Sequence, residues 1–184
     1  MNHIVRSPIG QLERQAVTYY SVIANSDNKK VSSMINVSKR LEVNPAGEVK
    51  LTRSQVWEGL VQKARNPIGY VKPMESCKLV EEAEGGSPFI REVQLHGETL
   101  QELITLFPQE RVEFVRLSGG ARGIIKNIIE EENGELFLRF TFTFSLQGVD
   151  AGSAEEKAFA EGMENSYCEA VNTTLGKMRA QNAA

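Results

Sequence analysis

Charged residues of alternating sign fall on three consecutive segments of this chain. Arg91, Glu102 and Arg116 each lie on a segment in which every second residue is apolar, which is typical of a β-strand that buries one face. An arginine in such a setting can bind a carboxylate, phenolate or carbonyl oxygen of an apolar ligand. It can also stabilise a developing enolate while Glu102 accepts a proton. These three residues are therefore the first candidates for a functional site.

Turn lengths predict that the three charges stand side by side. A two-residue turn at 96–97 places Arg91 directly opposite Glu102 on the neighbouring strand. A three-residue turn at 108–110 then places Glu102 opposite Arg116, because turn length sets the register of a hairpin. The sequence thus predicts one polar row across an otherwise apolar sheet face.

A further hairpin adds an amide to this row. A two-residue turn at 133–134 places Asn127 opposite Phe140 on the same face. Gly123 is predicted to stand beside Arg116, where the missing side chain leaves room for the guanidinium group. The predicted ligand-binding set is Arg91, Glu102, Phe114, Arg116, Ile125, Asn127, Phe140, Phe142, Phe144 and Tyr167, with Glu102 and Arg116 as weak candidates for catalysis.

An ion ladder without any ligand is the alternative interpretation of the row. A buried charge without a partner costs several kcal/mol, about 3–5 when one member of a pair is removed, so signs alternate in purely structural clusters too. If one turn differs by a single residue, the whole row moves to the solvent-facing side of the sheet.

The apolar surface that would surround this row is concentrated in residues 136–146. Alternation is strict there, and Leu136, Leu138, Phe140, Phe142, Phe144 and Leu146 share one face. Such a face must be covered by another element. A long helix after Ser153 offers the cover, because Phe159, Met163 and Tyr167 begin an apolar stripe at helical spacing.

The order of elements predicts an α+β protein. Strands are expected at about 35–43, 76–82, 89–95, 99–107, 111–117, 122–131 and 135–146, a short helical region after Thr52, and a long helix from Ser153 to about residue 179. Hairpin-sized turns make consecutive strands antiparallel neighbours. The prediction is a helix-grip fold: a curved antiparallel sheet of about seven strands wrapped on the C-terminal helix, with two short helices after the first strand.

Three runs of this sequence resemble a known family. They are residues 51–67, residues 111–146 and the GVDAGSAEE segment at the entry to the last helix. These runs resemble the AtaL-like family of the START and birch-allergen-like (SRPBCC) superfamily, which contains polyketide cyclases, lipid-transfer domains and ligand carriers. The resemblance covers about residues 34–179. It implies the helix-grip fold and a cavity between sheet and helix, but no agreed catalytic residue and no particular reaction.

Composition excludes several classes of function. The net charge of −3 without a basic stripe argues against nucleic acid as a partner. Two histidines and two separated cysteines predict no metal site and two reduced thiols, and we expect no cofactor. No run approaches the roughly 20 apolar residues of a membrane span, and the start lacks a secretory signal. We therefore expect a cytoplasmic protein, whose oligomeric state the sequence does not indicate.

Residues 1–33 differ from the rest of the chain. They are polar and lack a sustained period, which predicts a disordered or loosely docked extension. A targeting peptide and a packed extra element are the alternatives. Residues 34–184 are expected to form the ligand-binding domain.

Three functions fit these expectations. The first is a non-catalytic carrier or accessory protein that binds a small hydrophobic or aromatic metabolite, such as one of secondary metabolism. The second is a cyclase or aromatase without metal, a lyase or isomerase that folds a reactive polyketide. The third is a protein-interaction module that uses an exposed sheet face.

Overall fold

The computed structural model describes residues 32–183, which form one sheet and two helices. The elements are β1 (Ser32–Glu42), α1 (Arg53–Arg65), β2 (Met74–Glu82), β3 (Phe89–Leu95), β4 (Glu98–Phe107), β5 (Arg111–Arg116), β6 (Ala121–Glu132), β7 (Glu135–Asp150) and α2 (Ala154–Gln181). The seven strands are antiparallel, in the order β1-β7-β6-β5-β4-β3-β2. The predicted α+β helix-grip architecture is confirmed.

The predicted strand registers are also confirmed. Arg91 pairs with Glu102, Glu102 pairs with Arg116, and Asn127 pairs with Phe140. In the β3–β4 and β6–β7 turns both central residues have positive φ, as a two-residue type I′ turn requires. The short turns therefore set the polar row as the sequence predicts.

Both helices pack on the inner face of the sheet. Thr52 and Gln55 form a capping box that begins α1, and the Ser153 side chain accepts a hydrogen bond from Glu156 N at the start of α2. The helices approach closely at Gly59, because Met178 occupies the space that a side chain there would need. Between helices and sheet lies the core, in which Phe140, Phe142 and Phe144 are at most 1% exposed.

Two details differ from the sequence predictions. Only one regular helix lies between β1 and β2 in the described chain; the second is replaced by turns, with Tyr70 N bonded to Pro67 O and Met74 N to Val71 O. β7 continues to Asp150 rather than ending at residue 146, because Ser32 of β1 still pairs with Asp150 there.

The N-terminal extension predicted for residues 1–33 lies outside the described residues except for its last two, whose backbone begins β1. Within residues 32–183, neither helix combines the length and apolar character needed to cross a membrane.

Candidate functional site

A cavity of about 100 Å³ lies between the inner face of the sheet and α2. Its wall consists of Lys63, Val71, Pro73, Met74, Arg91, Leu95, His96, Glu102, Phe114, Arg116, Ile125, Asn127, Met163, Ser166, Tyr167 and Ala170. His96 and Ser166 are exposed, which places the mouth between the β3–β4 turn and α2. This volume is smaller than the roughly 150 Å³ of a cavity that binds benzene, so an aromatic ligand would extend from the cavity into the mouth.

Arg91 is the structural centre of the polar row. Its Nε and one terminal nitrogen donate to Glu102 Oε2 at 2.9 and 2.7 Å. The other terminal nitrogen donates to the carbonyl oxygens of Lys63 and Ala64 at 3.1 and 2.6 Å. These carbonyls belong to the last turn of α1, where backbone acceptors lack helical partners. Arg91 therefore joins α1 to the sheet, and its donors are largely used within the protein.

Arg116 has weaker partners than Arg91. Its shortest approach to Glu102 is 3.7 Å, and its buried Nε has no hydrogen-bond partner among the described residues. The guanidinium carbon lies 5.0 Å from the centre of the Phe144 ring, which is within the range of a cation–π contact. A buried guanidinium N–H without an acceptor is costly, so Arg116 is the least satisfied charged side chain of the cavity among the described residues.

Gly123 does not serve Arg116 in the way the sequence suggested. A side chain at this position would collide with the Thr143 carbonyl oxygen and with the Phe144 ring. The space above Gly123 is thus filled by Phe144, and Arg116 packs over that ring instead. The neighbour relation between Gly123 and Arg116 is correct, but the occupant of the space was predicted wrongly.

Lys63 is a wall residue that sequence reasoning missed. Its side chain is 6% exposed, and its Nζ donates to Asn127 Oδ1 at 3.0 Å. Burial, followed by the charge of Arg91, lowers the pKa of Lys63 to about 8. The signal was present in the sequence, because Val56, Leu60 and Lys63 are spaced to share one helical face. That face is buried in α1.

Positive charge exceeds negative charge at this site. Of the described residues that line the cavity, Lys63, Arg91 and Arg116 are cationic, and Glu102 is the one carboxylate. Burial by itself would raise the pKa of Glu102, but the positive charges of Arg91 and Arg116 outweigh it, and the pKa is lowered. Glu102 is therefore ionised at neutral pH and is a poor proton acceptor.

Tyr167 forms the aromatic side of the cavity from α2. Its ring lies 6.0 Å from that of Phe140 and 5.1 Å from that of Phe142. Burial raises the pKa of Tyr167 well above its usual value. A neutral phenol that faces a cavity can donate one hydrogen bond to a ligand oxygen.

Seven of the ten predicted site residues line the cavity: Arg91, Glu102, Phe114, Arg116, Ile125, Asn127 and Tyr167. The other three, Phe140, Phe142 and Phe144, are on the predicted face but are packed in the core next to the wall. His96, in the β3–β4 turn, is exposed. Within the described range 32–183 no three His, Cys, Asp or Glu residues are grouped so that they could hold a metal ion.

Comparison with known families decides the classification. The model of a family described as acetylaranotin biosynthesis cluster protein L, AtaL, matches residues 37–183. The chain belongs to the AtaL family. The match includes α1, α2, strands β2 to β7 and all but the first residues of β1, and it runs to residue 183, the last that the structure describes. No curated protein matches the AtaL-family chain significantly.

Solved structures confirm the fold of this AtaL-family protein. The Zhui aromatase/cyclase from Streptomyces sp. R1128 superposes with a TM-score of 0.63 at 19% identity, over 79% of this chain and 93% of that one. The di-domain aromatase/cyclase StfQ of the steffimycin pathway has a TM-score of 0.67 at 10% identity, over 97% of this chain and 62% of its own. Ara h 8.0201 has a TM-score of 0.57 at 12% identity, over 79% of this chain and 98% of its own.

Proposed function

We propose that this AtaL-family protein binds a small aromatic or polyketide-derived metabolite that carries an anionic oxygen. The observation that carries the proposal is the buried Nε of Arg116, which has no partner in residues 32–183 and belongs to a cluster of three cations and one carboxylate. A carboxylate, phenolate or enolate would supply the missing acceptor and reduce the excess positive charge. Tyr167, Phe114 and Ile125 supply apolar contacts for the ring.

A carrier or accessory role is the form of this function that the geometry supports best. Glu102, the carboxylate of the cavity, is held as an anion by Arg91. An acid–base enzyme needs a group that exchanges its proton near the working pH, and Glu102 does not meet that need. We therefore assign Glu102 to positioning Arg91 and Arg116 rather than to proton transfer.

An aromatase or cyclase is the second candidate. It is favoured by the unpaired donor of Arg116, since a guanidinium in a low-dielectric site stabilises the enolate that develops during an aldol-type ring closure. In that case the lowered pKa of Lys63, about 8, makes its ammonium the more suitable proton donor. The interaction module draws less support, because the outer sheet face carries ion pairs such as Arg139–Glu130.

Native mass spectrometry of the protein purified from its own host tests this proposal. We expect a co-purifying aromatic acid or phenol, and we expect Arg116→Gln to lose it. Arg122→Gln is the matched control, because Arg122 is exposed on the neighbouring strand. A bound neutral lipid that Arg116→Gln retains would contradict the proposal. Addition of the identified ligand and, separately, of its biosynthetic precursor to free protein separates the two roles: a carrier returns both unchanged, and a cyclase converts the precursor.

A further inference from the structure

Lys63 has a different setting from the two arginines of the cavity. It projects from α1 across the core side of the helix, and its Nζ meets the neutral amide oxygen of Asn127 at 3.0 Å rather than a carboxylate. Glu102, the carboxylate of the cavity, is bonded to Arg91 through Oε2 and faces Arg116 through Oε1. Lys63 is thus a buried amine at the cavity wall without an anionic hydrogen-bond partner in the described chain.

The groups around Lys63 favour its neutral form. From β3 and β5 the cavity receives the guanidinium groups of Arg91 and Arg116, and from α2 it receives the un-ionised phenol of Tyr167. Glu102 on β4 is the opposing negative charge. An amine that is desolvated and placed beside other cations loses its proton more readily, which is the condition under which lysine becomes a nucleophile.

We propose that Lys63 Nζ forms a reversible imine with an aldehyde or ketone carbonyl of the ligand. This inference rests on the proposed function, because it requires a ligand in the cavity. The neutral amine adds to the carbonyl carbon to give a carbinolamine, and loss of one water molecule gives the imine. No oxidant or reductant takes part, and hydrolysis returns the amine and the carbonyl compound unchanged.

Two neighbouring side chains orient the amine and the ligand for this reaction. Asn127 Oδ1 accepts a hydrogen bond from Nζ and so holds the nitrogen at the wall. Arg116 offers its free Nε–H to an acidic oxygen of the same ligand. The ligand class that satisfies both contacts is an aromatic or polyketide carbonyl compound that also carries a phenol or carboxylate, such as an ortho-hydroxy aromatic aldehyde.

Reductive trapping tests the proposal with salicylaldehyde as the probe. The full-length protein is incubated with the probe and cyanoborohydride at pH 7.5, and labelled peptides are identified by mass spectrometry. At this pH the neutral fraction of an amine with a pKa near 8 is on the order of 100-fold larger than that of an amine with an ordinary lysine pKa. We expect Lys63 to be labelled at least about tenfold faster than exposed Lys78, and the fast label to be absent from Lys63→Met.

Salicylate is the matched competitor, because it keeps the ring and an acidic oxygen but has no carbonyl that forms an imine. If the inference is correct, salicylate slows the labelling of Lys63 and leaves that of Lys78 unchanged. If salicylate binds in calorimetry but Lys63 is labelled no faster than Lys78, imine formation is overturned and the binding function stands. If salicylate and other aromatic acids do not bind at all, the proposed function itself fails.

Discussion

The two faces of the sheet differ in how far their charged side chains are neutralised by partners. On the outer face, Glu113 meets Arg111 at 2.8 Å and Lys126 at 3.3 Å, and Glu130 meets Arg139 at 2.6 Å. Lys126, Glu130 and Arg139 reach water, where ion pairs cost little. Glu113 is only 7% exposed, but it has two cationic partners. The charges named on the outer face are therefore neutralised by close partners, beside a separate apolar cluster of Ile90, Leu103, Val115 and Ile124.

The inner face keeps its charges unbalanced and away from water. Among the residues that the structure describes, Glu102 is the one carboxylate that lines the cavity with Lys63, Arg91 and Arg116, and all four are at most 6% exposed. Desolvation of ions costs several kcal/mol each, so an arrangement selected only for stability would contain fewer cations. An unbalanced buried cluster of this kind is what the proposed binding of an anionic ligand requires, and its cost in stability can be measured.

The largest expected effect is the loss of Glu102. Glu102→Gln leaves three buried cations without compensation and should lower the free energy of unfolding by about 3–5 kcal/mol. The matched change on the outer face, Glu130→Gln, should cost about 1 kcal/mol or less, because the Glu130 side chain is 27% exposed. Urea denaturation of both variants checks the contrast. Equal losses would mean that the two faces do not differ in this respect.

Replacement of Lys63 by methionine is expected to increase the free energy of unfolding. The pKa of Lys63 is lowered to about 8 by burial and Arg91, so the unfolded chain holds this proton more tightly than the folded protein. Stability therefore increases as pH rises from 8 towards the unfolded pKa of 10.5. Lys63→Met removes this penalty but also loses the hydrogen bond to Asn127. The net increase in the free energy of unfolding at pH 7 should be about 2 kcal/mol.

This gain should disappear at high pH. Urea denaturation at pH 7 and at pH 9.5 should give a difference between the two proteins that shrinks towards zero at the higher pH. A difference that does not change with pH would show that the Lys63 ammonium is not destabilised by its surroundings.

The smallest expected effect concerns Tyr167. Tyr167→Phe keeps the ring contacts with Phe140 and Phe142 but removes the hydroxyl, so the free energy of unfolding should change by less than about 0.5 kcal/mol. Salicylate affinity should fall by about 0.5–1.5 kcal/mol, the usual value of one hydrogen bond. Isothermal calorimetry checks the second value. Unchanged affinity would remove Tyr167 from the polar contacts of the site.

Much of this architecture could be predicted because hairpin turns are local. The positive φ values at His96, Gly97 and Gln109 belong to the two turns that set the registers on either side of β4, and these registers bring Arg91, Glu102 and Arg116 together. Contacts across the core were not predictable in the same way. The bond between Lys63 and Asn127 joins residues 64 positions apart, and it depends on how α1 lies on the sheet.

Contacts of the inner-face phenylalanines with the helices were unpredictable for the same reason. Alternation correctly placed Phe140, Phe142 and Phe144 on the inner face, but it could not show that the Tyr167 ring would pack against two of them. The link from Arg91 to the last carbonyls of α1 was equally hidden. It follows from where the helix ends relative to β3, and no local pattern encodes that position.

The central claim is that the excess positive charge of the inner face selects an anionic aromatic ligand. Calorimetric titration at pH 7 with salicylate and with its neutral amide, salicylamide, tests it most directly, because the two molecules have nearly the same size. We predict that salicylate binds at least about tenfold more tightly, a difference of 1.4 kcal/mol, and that Arg116→Gln removes this preference. Equal affinities for the two ligands, or a preference that survives in Arg116→Gln, would contradict the account.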